Sequence, residues 1–233
     1  MKQTSLIIGG NRGIGKSIYE TLKKRGDTLY TITRTSKNSK YSLNIDITNK
    51  KDLKKLKNFF KKVKINNLIF AQRYRGNNNN LEYDVMVKAS NEIIKIAKFK
   101  KQNSSIVILG SIASQTIIHD QDEIYHYTRG ALETLTKYYA CTLGVKKTRV
   151  NCVLPTKIFK PENKKFFSKK NNIDRKLLEK ITPLKRMGDS KDVANLVDFL
   201  TTNKSSYLTG LILPVDGGLR LLGQEQIAKK FIK

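Results

Sequence analysis

Residues 7–17 read IIGGNRGIGKS, and this stretch satisfies two phosphate-loop patterns at once. Counted from Gly10 it is GxxxxGKS, an ATP or GTP cradle ending in Lys16 and Ser17; counted from Gly9 it is GxxxGxG, a turn that opens many nicotinamide-dinucleotide sites. The physics is shared, because glycines let backbone come close to a phosphate and the start of the next helix supplies free N–H groups and partial positive charge. Around the glycines the pattern reads strand, turn, helix. Residues 4–8 are an apolar β-rich run, and Ile14, Ile18 and Leu22 recur at helical spacing before Gly26.

Outward from that unit the alternation continues. Strands are predicted at 28–33, in a short run ending at Asp46, and at 67–71, 105–110, 149–154 and 211–215; helices are predicted at about 51–63, 82–99, 123–144 and 191–202. Strands alternating with helices predict the α/β class, with a doubly wound parallel sheet covered on both faces in three layers. A chain of 233 residues suits one such domain over 1–233, and no linker rich in Pro or Gly and no internal repeat divides it.

Composition narrows the function classes. The chain carries 46 Lys and Arg against 19 Asp and Glu, a formal net charge of +27, enough to attract nucleic acid or anionic membrane without specificity. The excess is mostly Lys scattered through runs such as KKLKNFFKKVK, which reads as solvated helix faces. No basic heptad, zinc spacing or RNA-binding aromatic motif accompanies it, so no specific nucleic acid and no membrane is expected as a partner. The four Asn at 77–80 mark a local low-complexity loop. Cys141 and Cys152 are too few for a disulfide scaffold and lack metal-ligand spacing; they read as core thiols in a reduced, cytoplasmic protein, and no metal site is expected. No run is apolar for the roughly 18 residues of a membrane helix, and no secretion signal is visible, so the NxS matches at Asn103 and Asn203 read as chance.

Which nucleotide the loop holds is decided elsewhere in the chain. An ATP-type loop needs an Asp at the end of a buried strand to help hold Mg²⁺, and the candidate, Asp46, sits in the amphipathic run LNIDIT. A dinucleotide site needs a ribose-reading residue at the end of the second strand, and there the chain has Thr33 and Arg34. An acid would select the 2′-hydroxyl of NAD, whereas the Arg34 fork suits a 2′-phosphate, with Arg12 adding a second cation. NADP(H) is favoured over NAD(H).

GGNRGIG at 9–15, DIT at 46–48, the strand-end serine in VILGSIAS, the tyrosine in YHYTRGAL, RVNCVLP, ITPLKRMG and LTGLILPVDGGL together resemble the short-chain dehydrogenase/reductase family, in the right order and over nearly the whole chain. Within that family it is similar to 3-oxoacyl-carrier-protein reductases. It implies a three-layer Rossmann fold and hydride transfer between a nicotinamide and a small-molecule carbonyl or secondary alcohol. It also implies Tyr125 as acid/base, Ser111 as the group that positions the substrate oxygen, and a homodimer or homotetramer paired through the helices at 82–99 and 123–144. For the cofactor it implies Gly9, Asn11, Arg12, Gly13, Ile14 and Gly15 in the loop, Asp46 and Ile47 at the adenine, Ala71 in the wall, and Pro155 and Ile158 at the nicotinamide, with Tyr125 and residue 129 near the ribose. Lys16 and Ser17 then complete the ATP pattern by coincidence.

The chain departs from the family at two catalytic positions. Arg129 stands where the family has the lysine that holds the ribose and acidifies the tyrosine, and the family's helical asparagine falls on Met86. Moving a phenol from about 10 to near 7 takes about 4 kcal/mol, and one cation at about 4 Å under an effective dielectric near 20 supplies about that much. Charge is therefore sufficient, and guanidinium geometry is what differs. Met86 offers no amide to a water relay. A non-catalytic nucleotide-binding protein, a sensor or partner subunit, is the alternative these two residues motivate. After the third buried strand, FAQRYRG places Gln72 and Arg73 where the family has small residues. The resemblance also implies a variable substrate lid at about 156–185, with Phe159, Phe166 and Phe167 as apolar lining; Arg73, Tyr74, Arg75 and this basic segment suggest a substrate with phosphate or carboxylate.

Overall fold

The computed structural model describes residues 2–35, 39–101, 104–160, 162–169 and 172–232; Asn103 lies outside them, as do residues 161, 170 and 171 of the basic segment. Seven strands form one parallel sheet: β1 (Thr4–Ile8), β2 (Thr28–Thr33), β3 (Ser42–Asn44), β4 (Asn67–Phe70), β5 (Ser104–Leu109), β6 (Thr148–Pro155) and β7 (Ile212–Val215), in the order β3-β2-β1-β4-β5-β6-β7. The helices are α1 (Gly13–Lys24), α2 (Lys50–Lys62), α3 (Asn79–Tyr83), α4 (Ala89–Ile96), α5 (Glu123–Gly144), α6 (Lys164–Phe167), α7 (Ile173–Ile181), α8 (Ser190–Leu200) and α9 (Gln224–Ala228).

Each central strand is apolar on both sides, as a sheet covered on both faces requires. Leu6 and Ile8 of β1 join Phe60, Met86, Ile93 and Leu132 in one core, on the side of α2, α4 and α5. Ile7, between them, joins Ile18, Leu22, Val193 and Val197 of α1 and α8 in the other. Because β1 pairs with β2 on one side and β4 on the other, Ile8 stands level with both Ile32 and Phe70. The strand order reverses there, and the loops leaving β1 and β4 diverge at the carboxyl edge, which opens a crevice in sheets of this kind.

Several boundaries differ from the sequence expectation. The helix expected over 82–99 is α3, then a π turn over Asp84–Lys88, then α4; a single wider turn leaves apolar spacing almost unchanged, so periodicity does not reveal it. The third strand ends at Asn44 rather than Asp46, because the Asp46 carboxylate accepts hydrogen bonds from the Thr48 amide (2.9 Å) and hydroxyl (2.7 Å) and forms a turn. Cys141 is exposed on α5, correcting its reading as a core thiol, whereas Cys152 is buried in β6. Burial, assisted by the Glu133 charge, pushes the Cys152 thiol up to about 12, so it is inert as a nucleophile. No helix among the described residues is long and apolar enough to cross a membrane.

Candidate active site

The chain leaves β1 through Gly9, at φ 82°, and enters α1 at Gly13, at φ 53°, both in the left-handed region that favours glycine. Space is as restrictive as torsion. A Cβ on Gly9 would lie 2.8 Å from the Gln72 amide nitrogen, and one on Gly15 would lie 2.1 Å from the Gly9 oxygen. The turn thus packs against itself and against the end of β4. Arg12 occupies the N-cap position of α1 without a side-chain cap bond. The ATP-type reading fails here, since Ser17 Oγ lies 2.7 Å from Ser190 Oγ on α8 and Lys16 pairs along its own helix with Glu20 at 3.9 Å. Neither is turned to a phosphate.

Two adjoining cavities, each of about 350 Å³, form a cleft along the carboxyl edge of the sheet. The first is lined by Gly9, Asn11, Arg12, Thr33, Arg34, Asp46, Ile47 and Ala71. The second is lined by Arg12, Gly13, Ile14, Ala71, Met86, Ser111, Tyr125, Arg129, Pro155 and Ile158. Arg12, Ala71, Gln72, Arg73 and Arg75 belong to both walls. Of the cofactor and catalytic residues expected from sequence, all but Gly15 therefore line one cleft, and Gly15 lies buried beneath the turn.

Tyr125 projects from the first turn of α5, and Ser111 follows β5, where its Oγ accepts the Ala113 N–H at 3.3 Å and starts a short 3-10 turn. Burial raises the pKa of the Tyr125 phenol, but the Arg129 charge, a hydrogen bond with Ser111, the Arg73 charge and a hydrogen bond with Arg129 outweigh it. The net result lies below the ordinary value of 10.0. The Arg129 guanidinium carbon sits 4.1 Å from the centre of the Tyr125 ring, and that of Arg73 sits 5.7 Å away.

The residue that sequence reasoning missed is Glu82. Arg129 is only 2% exposed, and its Nη1 donates to Glu82 Oε1 at 2.7 Å and to Thr128 Oγ1 at 2.8 Å; Glu82 is 6% exposed. A buried guanidinium without a counter-ion would be costly, so Glu82 on α3 is what allows an arginine at this position. The weak cue was an acid in the loop-rich stretch NNNNLEY, which has no fixed spacing to Arg129.

Met86 lies in the π turn, buried, against the second cavity. Its carbonyl accepts the Ser90 hydroxyl at 2.7 Å, and Ser90 Oγ in turn accepts from Gln72 Nε2 at 2.9 Å. Gln72 Oε1, in the cleft wall, is buried with no hydrogen-bond partner among the described residues, an acceptor without a donor. His126 holds the loop before α5, its Nε2 accepting the Ile118 N–H at 2.9 Å, while His119 is exposed. The three phenylalanines do not line the cavities beside Tyr125, contrary to expectation. Phe167 stacks edge-on against both Phe159 and Phe166 instead, with ring centres 5.5 and 5.0 Å apart.

A family model described as enoyl-(acyl carrier protein) reductase matches residues 80–220. A tropinone reductase homolog of Arabidopsis thaliana is 28% identical over 256 residues, covering 95% of this chain and 93% of the relative. The 3-oxoacyl-[acyl-carrier-protein] reductase of Buchnera aphidicola is 28% identical over 246 residues, with 95% and 98% covered. A crystal structure of a short chain dehydrogenase family protein from Francisella tularensis superposes with a TM-score of 0.80 at 26% identity, covering 95% of this chain and 100% of that one. The sheet is accordingly a Rossmann fold. With more than half of its residues matched by the family model, and relatives aligned over nearly their whole length, this chain belongs to the short-chain dehydrogenase/reductase family.

Proposed function

We propose that the protein is an NADP(H)-dependent oxidoreductase acting on a carbonyl or secondary alcohol, with Tyr125 as the acid/base. The observation that carries this reading is the placement of an acidified phenol, with Ser111 and the Arg129 charge beside it, in the same cleft as the glycine turn. The cleft fits a dinucleotide by its own features: glycines whose Cβ would collide, and an orphan acceptor at Gln72 Oε1 suited to a ribose or amide donor. The α1 turn would hold pyrophosphate, Asp46 and Ile47 the adenine, and Pro155 and Ile158 the nicotinamide. When bound, the nicotinamide exchanges hydride with the substrate carbon. Ser111 donates a hydrogen bond to the substrate oxygen, and Tyr125 gives that oxygen a proton in reduction or takes one in oxidation. Arg129 stabilises the phenolate in either direction, and Glu82 holds Arg129 in place.

Arg34 is exposed at the rim of the first cavity and has no ion pair among the described residues. A fork at this place favours a 2′-phosphate. Arg34→Ala is expected to weaken NADPH binding by about 10- to 100-fold, from loss of a charged hydrogen bond, and to leave NADH binding unchanged, as read by fluorescence titration. Equal loss for both coenzymes would remove the preference.

A further cavity of about 430 Å³ adjoins the cleft through Tyr125 and is lined by Arg73, Arg75 and Lys160 together with Glu82, Asp122 and Glu162. Glu82 is paired with Arg129, and the Arg73 charge beside Tyr125 supports a small substrate that carries phosphate or carboxylate. For a matched pair of ketones, the anionic one is expected to show a KM about tenfold lower at low salt, the gap narrowing as salt rises; equal KM values at low salt would argue for a neutral substrate. Exposed Tyr127 and Tyr138 on α5 support pairing of copies through α4 and α5, in a homodimer or homotetramer. A reducing cytoplasm suits the two free thiols.

A further inference from the structure

The glycine turn is already holding an anion of its own. Glu162, in the segment after β6, accepts the Gly13 N–H through Oε2 at 3.0 Å, from 149 positions along the chain. Its other oxygen, Oε1, accepts from Arg75 Nη2 at 3.2 Å. Oε1 stands 2.9 Å from where a Cβ on Gly13 would be, and the Lys160 stem comes within 3.6 Å of the same point. The missing side chain that lets a phosphate approach this helix start is thus what lets the carboxylate in. Lys160 has its ammonium pushed below the ordinary range by burial and by the Arg73 and Arg75 charges, with Glu162 pulling the other way. A backbone N–H at a helix start and a guanidinium meet on one oxygen pair, with the Lys160 side chain beside them, and such donors bind phosphate oxygens.

We propose that Gly13 N–H, Arg75 and Lys160 form a phosphate site, and that Glu162 fills it as an internal carboxylate until a nucleotide phosphate displaces it. The proposal rests on the dinucleotide reading of the cleft. Arg75, Lys160 and Glu162 all lie outside the glycine pattern. With Glu162 seated, only the fraction of molecules that have released it binds coenzyme, and the apparent affinity falls by that fraction. Once Glu162 swings away, Arg75 turns from its counter-ion into a clamp on the incoming phosphate, and Lys160 is drawn in beside it.

The test uses the full chain as wild type, Glu162→Gln and Glu162→Asp, titrated with NADPH by fluorescence and with inorganic pyrophosphate while following the Gly13 amide by NMR. Loss of one charge-assisted bond corresponds to about a tenfold change. Both variants are expected to bind NADPH and pyrophosphate about tenfold more tightly than wild type, and the free variants should show an altered Gly13 amide. Aspartate keeps the charge but is too short to reach Gly13. Tighter binding by the glutamine variant alone would therefore mean distant charge repulsion and overturn displacement. Unchanged or weaker binding by both variants, with wild type binding NADPH, would overturn the proposal and leave the coenzyme reading standing. Tighter pyrophosphate binding by both variants with no NADPH or NADH binding by any form would uphold the phosphate site and remove the nicotinamide reading instead.

Discussion

Tyr125→Phe is expected to lower kcat by about 10²- to 10⁴-fold, the usual contribution of a positioned acid/base, with coenzyme affinity little changed. The loss follows from the site's chemistry: the ring and its stacking on Arg129 survive, and only the proton carrier is removed. The wild-type pH profile carries the same signature. Tyr125 is acidified because the Arg129 and Arg73 charges and the Ser111 and Arg129 hydrogen bonds outweigh burial, which acts in the opposite sense. Reduction needs the protonated phenol, so its rate should fall as pH rises through this depressed value. Oxidation needs the phenolate and should fall as pH drops through the same value, which lies below 10.0. Both limbs should vanish in the Phe variant. A variant with kcat within about threefold of wild type would take Tyr125 out of the chemistry and leave a nucleotide-binding protein without catalysis.

The parts of this site that were legible in the sequence are those set by local rules. Glycines at 9, 13 and 15 declare a turn that must close on itself, apolar runs declare buried strands, and Ser111 and Tyr125 stand at a strand end and a helix start that the alternation already located. What was not legible depends on partners brought together by the fold. Glu82 meets Arg129 across 47 positions and Glu162 meets Gly13 across 149, and no spacing rule links acids to bases over such distances. The π turn was hidden for another reason, since one extra residue in a single turn keeps Val85, Met86 and Val87 buried and leaves the apolar rhythm intact. The phenylalanines of the segment after β6 were misplaced because apolarity marks what is buried without saying against what.

The other large effect concerns the pair that makes room for an arginine. Glu82 and Arg129 are both withdrawn from water and meet at 2.7 Å, and removing one member of such a pair leaves a buried charge uncompensated, at a cost of about 3–5 kcal/mol. At about 2–4 °C per kcal/mol for a chain of this size, Glu82→Gln and Arg129→Met should each lower Tm by about 6–20 °C. The double variant E82M/R129M should recover most of that loss, because apolar side chains of similar volume replace a buried ion pair at little cost. If its loss equals the sum of the single losses, the two side chains are not coupled and Glu82 is not the counter-ion. Stability and catalysis then separate. Arg129 supplies the largest of the influences that acidify Tyr125, and Glu82 is not among them. The double variant should therefore regain its fold but keep a pH profile shifted upward towards an ordinary tyrosine, as in Arg129→Met. A double variant with both stability and the wild-type pH profile would show that the acidity of Tyr125 comes from Ser111 and Arg73, and that Arg129 is needed only to partner Glu82.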